Sequence, residues 1–298
     1  MKTLLFIYNS TSGKGKVSAE LPKILDIFTK AGFLVTSYPT QRKTDAARIA
    51  RELGPGFDQV VCAGGDGTLS ETVSGLMALE HPPLLGYIPS GSTNDCARTL
   101  RLPKDLKKAA ALAAGEGVPR PWDIGKLNGR PFVYVSAFGA FTEVSYDTPQ
   151  ELKNAVGHLA YVMAGIASLP SITPYRIKVR YDGKELEDDF YYGMVCNSIS
   201  VGGIKTPSLD RVVLDDGLFE VLLVKRPVSL SELTAGLQAL LHKTPMEEGS
   251  ALLSFHASEV EFICEKPIPW TLDGEYGGSH TRCLVENCQK AITIFQGD

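Results

Sequence analysis

Val60-Val61-Cys62-Ala63-Gly64-Gly65-Asp66-Gly67-Thr68-Leu69 sets a carboxylate among glycines at the end of an apolar run. A continuous run of this kind reads as a parallel-sheet strand covered on both faces. The glycines allow a sharp turn and let a ligand come close to the backbone. Apolar residues at helical spacing follow over 68–77, so the amides of Gly67, Thr68 and Leu69 are expected to point out of a helix N-terminus, where anions bind favourably. An Asp there repels phosphate unless a cation lies between them, and Mg²⁺ commonly bridges carboxylates to phosphates. A glycine turn with a capping Asp and no ligand fits the same residues.

On either side of this stretch, strand and helix patterns alternate through the first 120 or so residues. Strands are predicted over 3–8, 33–38, 59–63 and 84–88, and helices over 17–30 and 45–53. Such alternation implies right-handed crossovers and a doubly wound, mainly parallel sheet, whose ligands lie outside the carboxyl ends of the strands. Two further polar turns fall at those ends: Asn9-Ser10-Thr11-Ser12-Gly13 and Pro89-Ser90-Gly91-Ser92-Thr93-Asn94-Asp95. The first is followed by Lys14-Gly15-Lys16 but is not a P-loop, because Asn9 stands where the leading glycine belongs and Gly15 where a Ser or Thr should follow the lysine.

The chain of 298 residues suits two domains, and its 44% hydrophobic and 21% charged residues describe an ordinary globular protein. A formal charge of −4 argues against a nucleic-acid partner. No stretch approaches the roughly 18–20 apolar residues of a spanning helix. The short run after Lys2 reads as the first strand and not as a signal segment. The six cysteines include no C-x-x-C pair, so they are expected to be thiols of a cytoplasmic protein, not metal ligands.

Beyond Pro119 the pattern turns antiparallel. Asn128-Gly129 and Asp182-Gly183 sit between strand-like runs as hairpin turns, with strands predicted over 130–137, 175–181, 190–197, 218–225, 259–264 and 291–295. A β-sandwich with inserted helices is expected. Its best helix spans 148–169, with Leu152, Val156, Leu159, Val162, Met163 and Ile166 on one face, a stripe suited to core or to an acyl groove. Asp215-Asp216-Gly217 and Asp273-Gly274-Glu275 place further carboxylates in glycine turns. Arg176, Lys178 and Arg180 alternate with Tyr175, Ile177 and Val179, as on the solvent face of a strand or an anion-attracting patch.

Taken in order, these five motifs resemble the diacylglycerol kinase-like lipid kinase family over almost the full chain, nearest its soluble bacterial members. Gly64-Gly-Asp-Gly-Thr68 alone is shared with NAD kinases and, more loosely, with phosphofructokinases. The Asp-Asp-Gly and Asp-Gly-Glu elements are what single out the lipid kinases.

The resemblance implies an ATP- and Mg²⁺-dependent kinase that phosphorylates the primary hydroxyl of diacylglycerol to phosphatidic acid, in a cleft between domains 1–122 and 123–298. It implies that Asn9, Ser10, Thr11, Ser12, Gly13, Thr40, Gly65, Asp66, Gly67, Thr68, Leu69, Ser70, Glu71 and Ser92 hold ATP. Asp66 would organise the catalytic Mg²⁺ and Glu275 would take the proton, roles that can be exchanged. Asp216, with the carbonyls of Val213 and Leu218, would hold a second, structural Mg²⁺. Ser92 stands where relatives often have threonine and keeps the hydroxyl; Val213 differs from the lysine of some relatives but would ligate through its carbonyl. The same resemblance implies a cytoplasmic protein in peripheral contact with the inner face of the membrane, and a homodimer. An apolar acceptor groove would come from 148–169 or the loop around Ile204. Other acceptors (sphingoid base, ceramide, monoacylglycerol, polyprenol), an NAD kinase, and a silent nucleotide-binding regulator are the rival readings. A silent protein has no need of Asp66, Asp216 and Glu275 together.

Overall fold

A computed structural model describes residues 1–139, 173–201, 204–205, 212–226 and 251–297. They form two compact units: Met1–Ile124 together with Cys288–Asp298, and Gly125–Asn287.

In the first unit the order is β1 (Lys2–Tyr8), α1 (Ser12–Lys30), β2 (Phe33–Pro39), α2 (Asp45–Leu53), β3 (Gln59–Gly64), α3 (Asp66–Leu76), β4 (Leu84–Pro89), α4 (Asp95–Thr99) and α5 (Leu106–Ala111), followed by the start of β5 (Val118–Leu127). The sheet runs β4-β3-β1-β2, all parallel, with Leu4 opposite Gln59 and Gln59 opposite Leu84. Every residue of β3 is buried, as its unbroken apolar run requires of a strand covered on both faces. One face packs on α1 and α5 through Leu4, Phe6, Val61, Ile24, Phe28 and Ala109. The rings of Phe6 and Phe28 meet edge-on at 5.3 Å. Each such fully buried large side chain contributes roughly 1.5–3 kcal/mol. α2 and α3 pack so tightly together that a Cβ on Gly75 would overlap the Ala47 carbonyl oxygen.

The second unit is antiparallel. It contains the end of β5, β6 (Arg130–Phe132), β7 (Val135–Gly139), β8 (Tyr175–Tyr181), β9 (Lys184–Cys196), the short pair β10 (Ser200–Val201) and β11 (Ile204–Lys205), β12 (Phe219–Lys225), β13 (Leu252–Ala257), β14 (Glu259–Leu272) and most of β15 (Glu275–Gln296). The main path is β13-β12-β9-β7-β14-β15. β8 also bridges β9 and β14, so β9, β7, β14 and β8 close a ring. Phe138, Phe190, Phe219, Phe262 and Trp270 fill the core of this unit. Two-residue turns at Asn128-Gly129 and Asp182-Gly183 have positive φ at both positions, the backbone that matches hairpin twist.

Several expectations need adjusting. Residues 288–298, expected in the second domain, belong to the first unit, because the end of β15 pairs in parallel with β4 at Ile294 and Leu85 and because Asp123 of β5 accepts from the Lys290 amide at 2.7 Å. The first unit itself extends to Ile124, not 122. The strand predicted over 130–137 is interrupted at Val133-Tyr134, whose amides turn to the Asp273 carboxylate instead of a neighbouring strand. The helix predicted over 148–169 lies outside the described residues. Among the described residues no helix is long and apolar enough to cross a membrane. All six cysteines are free. Burial pushes the Cys62 and Cys283 thiols up to about 12, which leaves them inert packing groups.

Candidate functional site

Three loops converge at the carboxyl ends of β1, β3 and β4. In the first, the Asn9 amide bonds to Ala63 O at 2.9 Å, while its side-chain oxygen accepts from the Thr11 amide and hydroxyl at 3.0 and 2.9 Å. Gly13, Lys14 and Gly15 then take left-handed φ/ψ, so regular helix begins close to the predicted residue 17. The loop after β4 closes on both others: the Ser90 amide donates to Gly64 O at 2.8 Å, and the Ser90 hydroxyl to that of Ser12 at 3.0 Å. A Cβ on Gly91 would lie 2.6 Å from the Gly65 Cα, and one on Gly64 only 2.5 Å from the Thr68 Cβ. The loops approach backbone to backbone, and glycine is what permits it.

Asp66 stands at the centre of this arrangement in a role the sequence did not disclose. Its two carboxylate oxygens accept from the amides of Asp95 and Cys96 at 3.0 and 3.1 Å, tying the β3 turn to the start of α4. These are charge-assisted bonds, roughly twice as strong as neutral ones. The expected outward trio of amides is also corrected. Those of Thr68 and Leu69 both bond to Gly65 O, at 3.0 and 3.2 Å, which leaves Gly67 as the exposed member of the three. The Leu69 side chain is fully buried and Thr68 nearly so, hence neither presents its side chain to a ligand.

Around the loops, Thr40 is anchored by its amide to Tyr8 O at 2.9 Å, beside the end of β1. Glu71 is used within the fold, accepting from the Thr44 amide at 2.8 Å just ahead of α2. Ser10, Ser12 and Ser70 are half-buried and Ser92 is exposed. Asn94 takes a left-handed φ of 53° and donates to Gly91 O at 2.7 Å, while its side-chain oxygen is buried with no hydrogen-bond partner among the described residues. That acceptor, together with the glycine-lined approach and the loop hydroxyls, suits a polar ligand with donors, as a nucleotide has. In the sequence, the signal for Asn94 is the tolerance of asparagine for left-handed backbone next to a helix start.

In the second unit the Asp-Gly-Glu motif forms the β14–β15 hairpin. Asp273 and Gly274 occupy the turn at φ 51° and 82°. The Asp273 carboxylate, only 9% exposed, accepts from the amides of Val133, Tyr134 and Val135 at 2.8, 3.0 and 3.2 Å. Glu275 opens β15 opposite Leu272, exposed to solvent. Asp273 therefore builds the turn and Glu275 is the carboxylate it presents.

Asp216 is exposed on a turn that ends at Gly217, φ 82°, and its side chain accepts from the Leu218 amide at 2.9 Å. Val213 and Leu218 flank it at 47% and 37% exposure. Among the described residues no three His, Cys, Asp or Glu side chains are grouped to hold a metal. One carboxylate with backbone carbonyls and water is nonetheless a donor set that suits Mg²⁺. Nearby, Glu220 is a buried acid unremarked in the sequence. Burial, then the neighbouring charge of Asp216, pushes its carboxyl up to about 7. A charge inside the apolar run Phe219-Glu220-Val221-Leu222 was the signal that could have found it.

The basic run on β8 is an ordinary strand face: Arg176 pairs with Glu187 at 3.1 Å, Lys178 with Glu185 at 3.0 Å, and Arg180 with Glu185 at 2.7 Å. Cross-strand acids neutralise it.

Comparison with known proteins agrees with this architecture. Residues 3–127 match the diacylglycerol kinase catalytic domain, and residues 138–295 a C-terminal domain described as NAD kinase β-sandwich-like. The chain is 36% identical over 93% of its length to a diacylglycerol kinase of Bacillus subtilis, of which it covers 91%. It is likewise 36% identical, over 93% of its length and 90% of the relative, to a diacylglycerol kinase of Staphylococcus carnosus. A crystal structure of a diacylglycerol kinase from Bacillus anthracis superimposes with a TM-score of 0.76 at 26% identity, covering 99% of this chain and 97% of that one. The chain belongs to the diacylglycerol kinase family of lipid kinases.

Proposed function

We propose that the chain transfers the γ-phosphoryl group of ATP to the primary hydroxyl of diacylglycerol, giving phosphatidic acid. The observation that carries this reading is the convergence of three glycine-rich loops at the carboxyl ends of parallel strands, in a member of this family. Asn9 to Gly13, Thr40, Gly65 to Gly67, Ser70 and Ser92 would line the nucleotide, while Thr68, Leu69 and Glu71 hold the loops in shape. Bound Mg²⁺ would neutralise charge on the phosphate oxygens, with Asp66 nearby and a structural ion held by Asp216, Val213 O and Leu218 O.

Of the two carboxylates proposed as base, Glu275 suits the role better. Both Asp66 oxygens already accept backbone amides, whereas Glu275 is exposed at the head of a strand. Glu275 would accept the acceptor's hydroxyl proton as that oxygen attacks phosphorus. Peripheral membrane contact belongs to the same reading, since the acceptor is a membrane lipid, and a homodimer follows from the family resemblance alone.

The test offers γ-labelled ATP with diacylglycerol, ceramide, sphingosine, monoacylglycerol and NAD in parallel. Label in diacylglycerol is expected; label in another acceptor, or in none, refutes the assignment. Glu275→Gln should lower turnover by about a thousandfold with ATP affinity nearly intact. Loss of ATP binding in that variant would sink the role of Glu275.

A further inference from the structure

We infer that Arg101, Lys104, Lys107 and Lys108 form the surface by which the chain docks on an anionic phospholipid bilayer. The inference rests on the reading of a membrane lipid as acceptor.

A chain of formal charge −4 is repelled as a whole by an anionic membrane, so electrostatic attraction must come from a local patch. The basic run on β8 does not supply one, since Glu185 and Glu187 pair with it. The segment after α4 does. Arg101, Lys104, Lys107 and Lys108 are all exposed, and among the described residues none of them has an ion-pair partner. Asp105, the carboxylate among them, is engaged by the backbone: its Oδ1 accepts from the amides of Lys107 and Lys108 at 3.0 and 2.9 Å and caps α5.

The apolar residues of the same segment are turned inward. Leu100, Leu102, Leu106, Ala109 and Ala110 are buried, so the cations stand on a fixed face of the first unit and not on a loose tail. Backbone bonds hold the bend between the two helices: the Leu102 amide donates to Ala97 O at 2.8 Å, and the Gly297 amide to Leu100 O at 3.1 Å. Arg101 turns the chain there with a left-handed φ of 53°.

The patch belongs to the unit that carries the three loops. α4 begins with the two amides that hold Asp66, whereas Ala113, just past α5, accepts from the Gln59 side chain at the opposite end of β3. The segment therefore runs from the loop end of the sheet towards its other end, with the cations along that path. Lysine ammoniums on flexible stems suit the phosphates of a lipid surface, which imposes no fixed geometry on its partner. The bilayer is favoured over a nucleic acid, the other extended polyanion, because the acceptor resides in it.

The experiment measures co-sedimentation of the full chain, without ATP or acceptor, with phosphatidylcholine vesicles that contain or lack phosphatidylglycerol. The unsubstituted chain should bind the anionic vesicles alone, and more weakly as salt is raised. Each cation near the surface strengthens binding about fivefold, so Arg101→Gln, Lys104→Gln, Lys107→Gln and Lys108→Gln combined should weaken it by about a hundredfold or more. Turnover of that quadruple variant on dioctanoylglycerol in neutral detergent micelles should stay within about twofold, with the thermal midpoint unchanged. A control lowers the net charge nearly as much at the paired cations, by Arg176→Gln, Lys178→Gln and Arg180→Gln, and should leave vesicle binding within about threefold. Unchanged vesicle binding in the quadruple variant overturns the inference. So do an equal loss in the control, equal binding of the unsubstituted chain to neutral vesicles, or a quadruple variant that loses affinity for a duplex oligonucleotide while keeping its vesicle binding. Failure of the unsubstituted chain to label dioctanoylglycerol in micelles is a separate result: it overturns the diacylglycerol reading, while the vesicle measurements still decide the docking surface.

Discussion

Replacing Glu220 by glutamine should stabilise the protein at neutral and alkaline pH and leave it nearly unchanged in acid. Glu220 is 9% exposed, one carboxylate oxygen is buried without a hydrogen-bond partner among the described residues, and the other lies 3.9 Å from the exposed His256 ring. Burial first, and Asp216 second, raise its carboxyl from 4.5 to about 7. A raised acid prefers to remain protonated in the fold. The stability it retains below pH 4.5 is lost as pH rises through about 7, because the unfolded chain releases the proton earlier. At about 1.4 kcal/mol per tenfold in proton affinity, the penalty grows from near zero at pH 4 to about 2 kcal/mol at pH 6 and about 3 kcal/mol at pH 8. Glutamine keeps the shape and removes the ionisation. The assay is urea unfolding of both proteins at pH 4, 6 and 8 in EDTA, so that no cation masks Asp216. A stability difference independent of pH would refute the reasoning.

Asp273→Ala deprives three buried amides of their acceptor at about 1–3 kcal/mol each, so it should cost at least about 3 kcal/mol in urea unfolding; a loss below about 1 kcal/mol would show that the hairpin does not depend on the carboxylate. Gly64→Ala and Gly67→Ala form a pair: the first forces a Cβ to within 2.5 Å of the Thr68 Cβ, while the second meets nothing within 4 Å. Gly64→Ala should cost about 1–3 kcal/mol by overpacking and Gly67→Ala nothing, so that any rise in ATP KM in Gly67→Ala reports on the nucleotide and not on the fold. Equal destabilisation of the two would contradict the loop geometry.

The first unit was legible because β1, β3 and β4 are buried almost throughout, which writes them as apolar runs, and the helix predicted over 45–53 is Asp45–Leu53 to the residue. The strand over 175–181 was equally plain, since one face meets the core while Arg176 and Arg180 alternate outward. The long strands β14 and β15 were not. Predicted over 259–264 and 291–295, they span Glu259–Leu272 and Glu275–Gln296, because Pro267, Gly277 and Gly278 read as strand breakers. Register shifts between Ile263 and Ile268 and beside Trp270 absorb those residues without ending the strands. The return of residues 288–298 to the first unit depends on the pairing of Ile294 with Leu85, some two hundred positions apart, and no local pattern encodes it.

The same limit explains the carboxylates. Asp66 and Asp273 both sit in glycine turns after strands, and residue type makes either one a metal ligand or a base. What residue type does not show is the count of amides aimed at each: two at Asp66 and three at Asp273, from segments 29 or more residues away. Those amides do structural work that the neighbouring residues cannot reveal. By fixing both turns, they place the exposed Gly67 of the first unit and the exposed Glu275 of the second on rigid supports, where phosphoryl transfer, which is chiefly positioning, gains most. What an Asp in a glycine turn does thus depends on whether distant amides have claimed its oxygens, and in this chain the Asp273 carboxylate, held by three of them, fixes the turn that leads into the exposed Glu275.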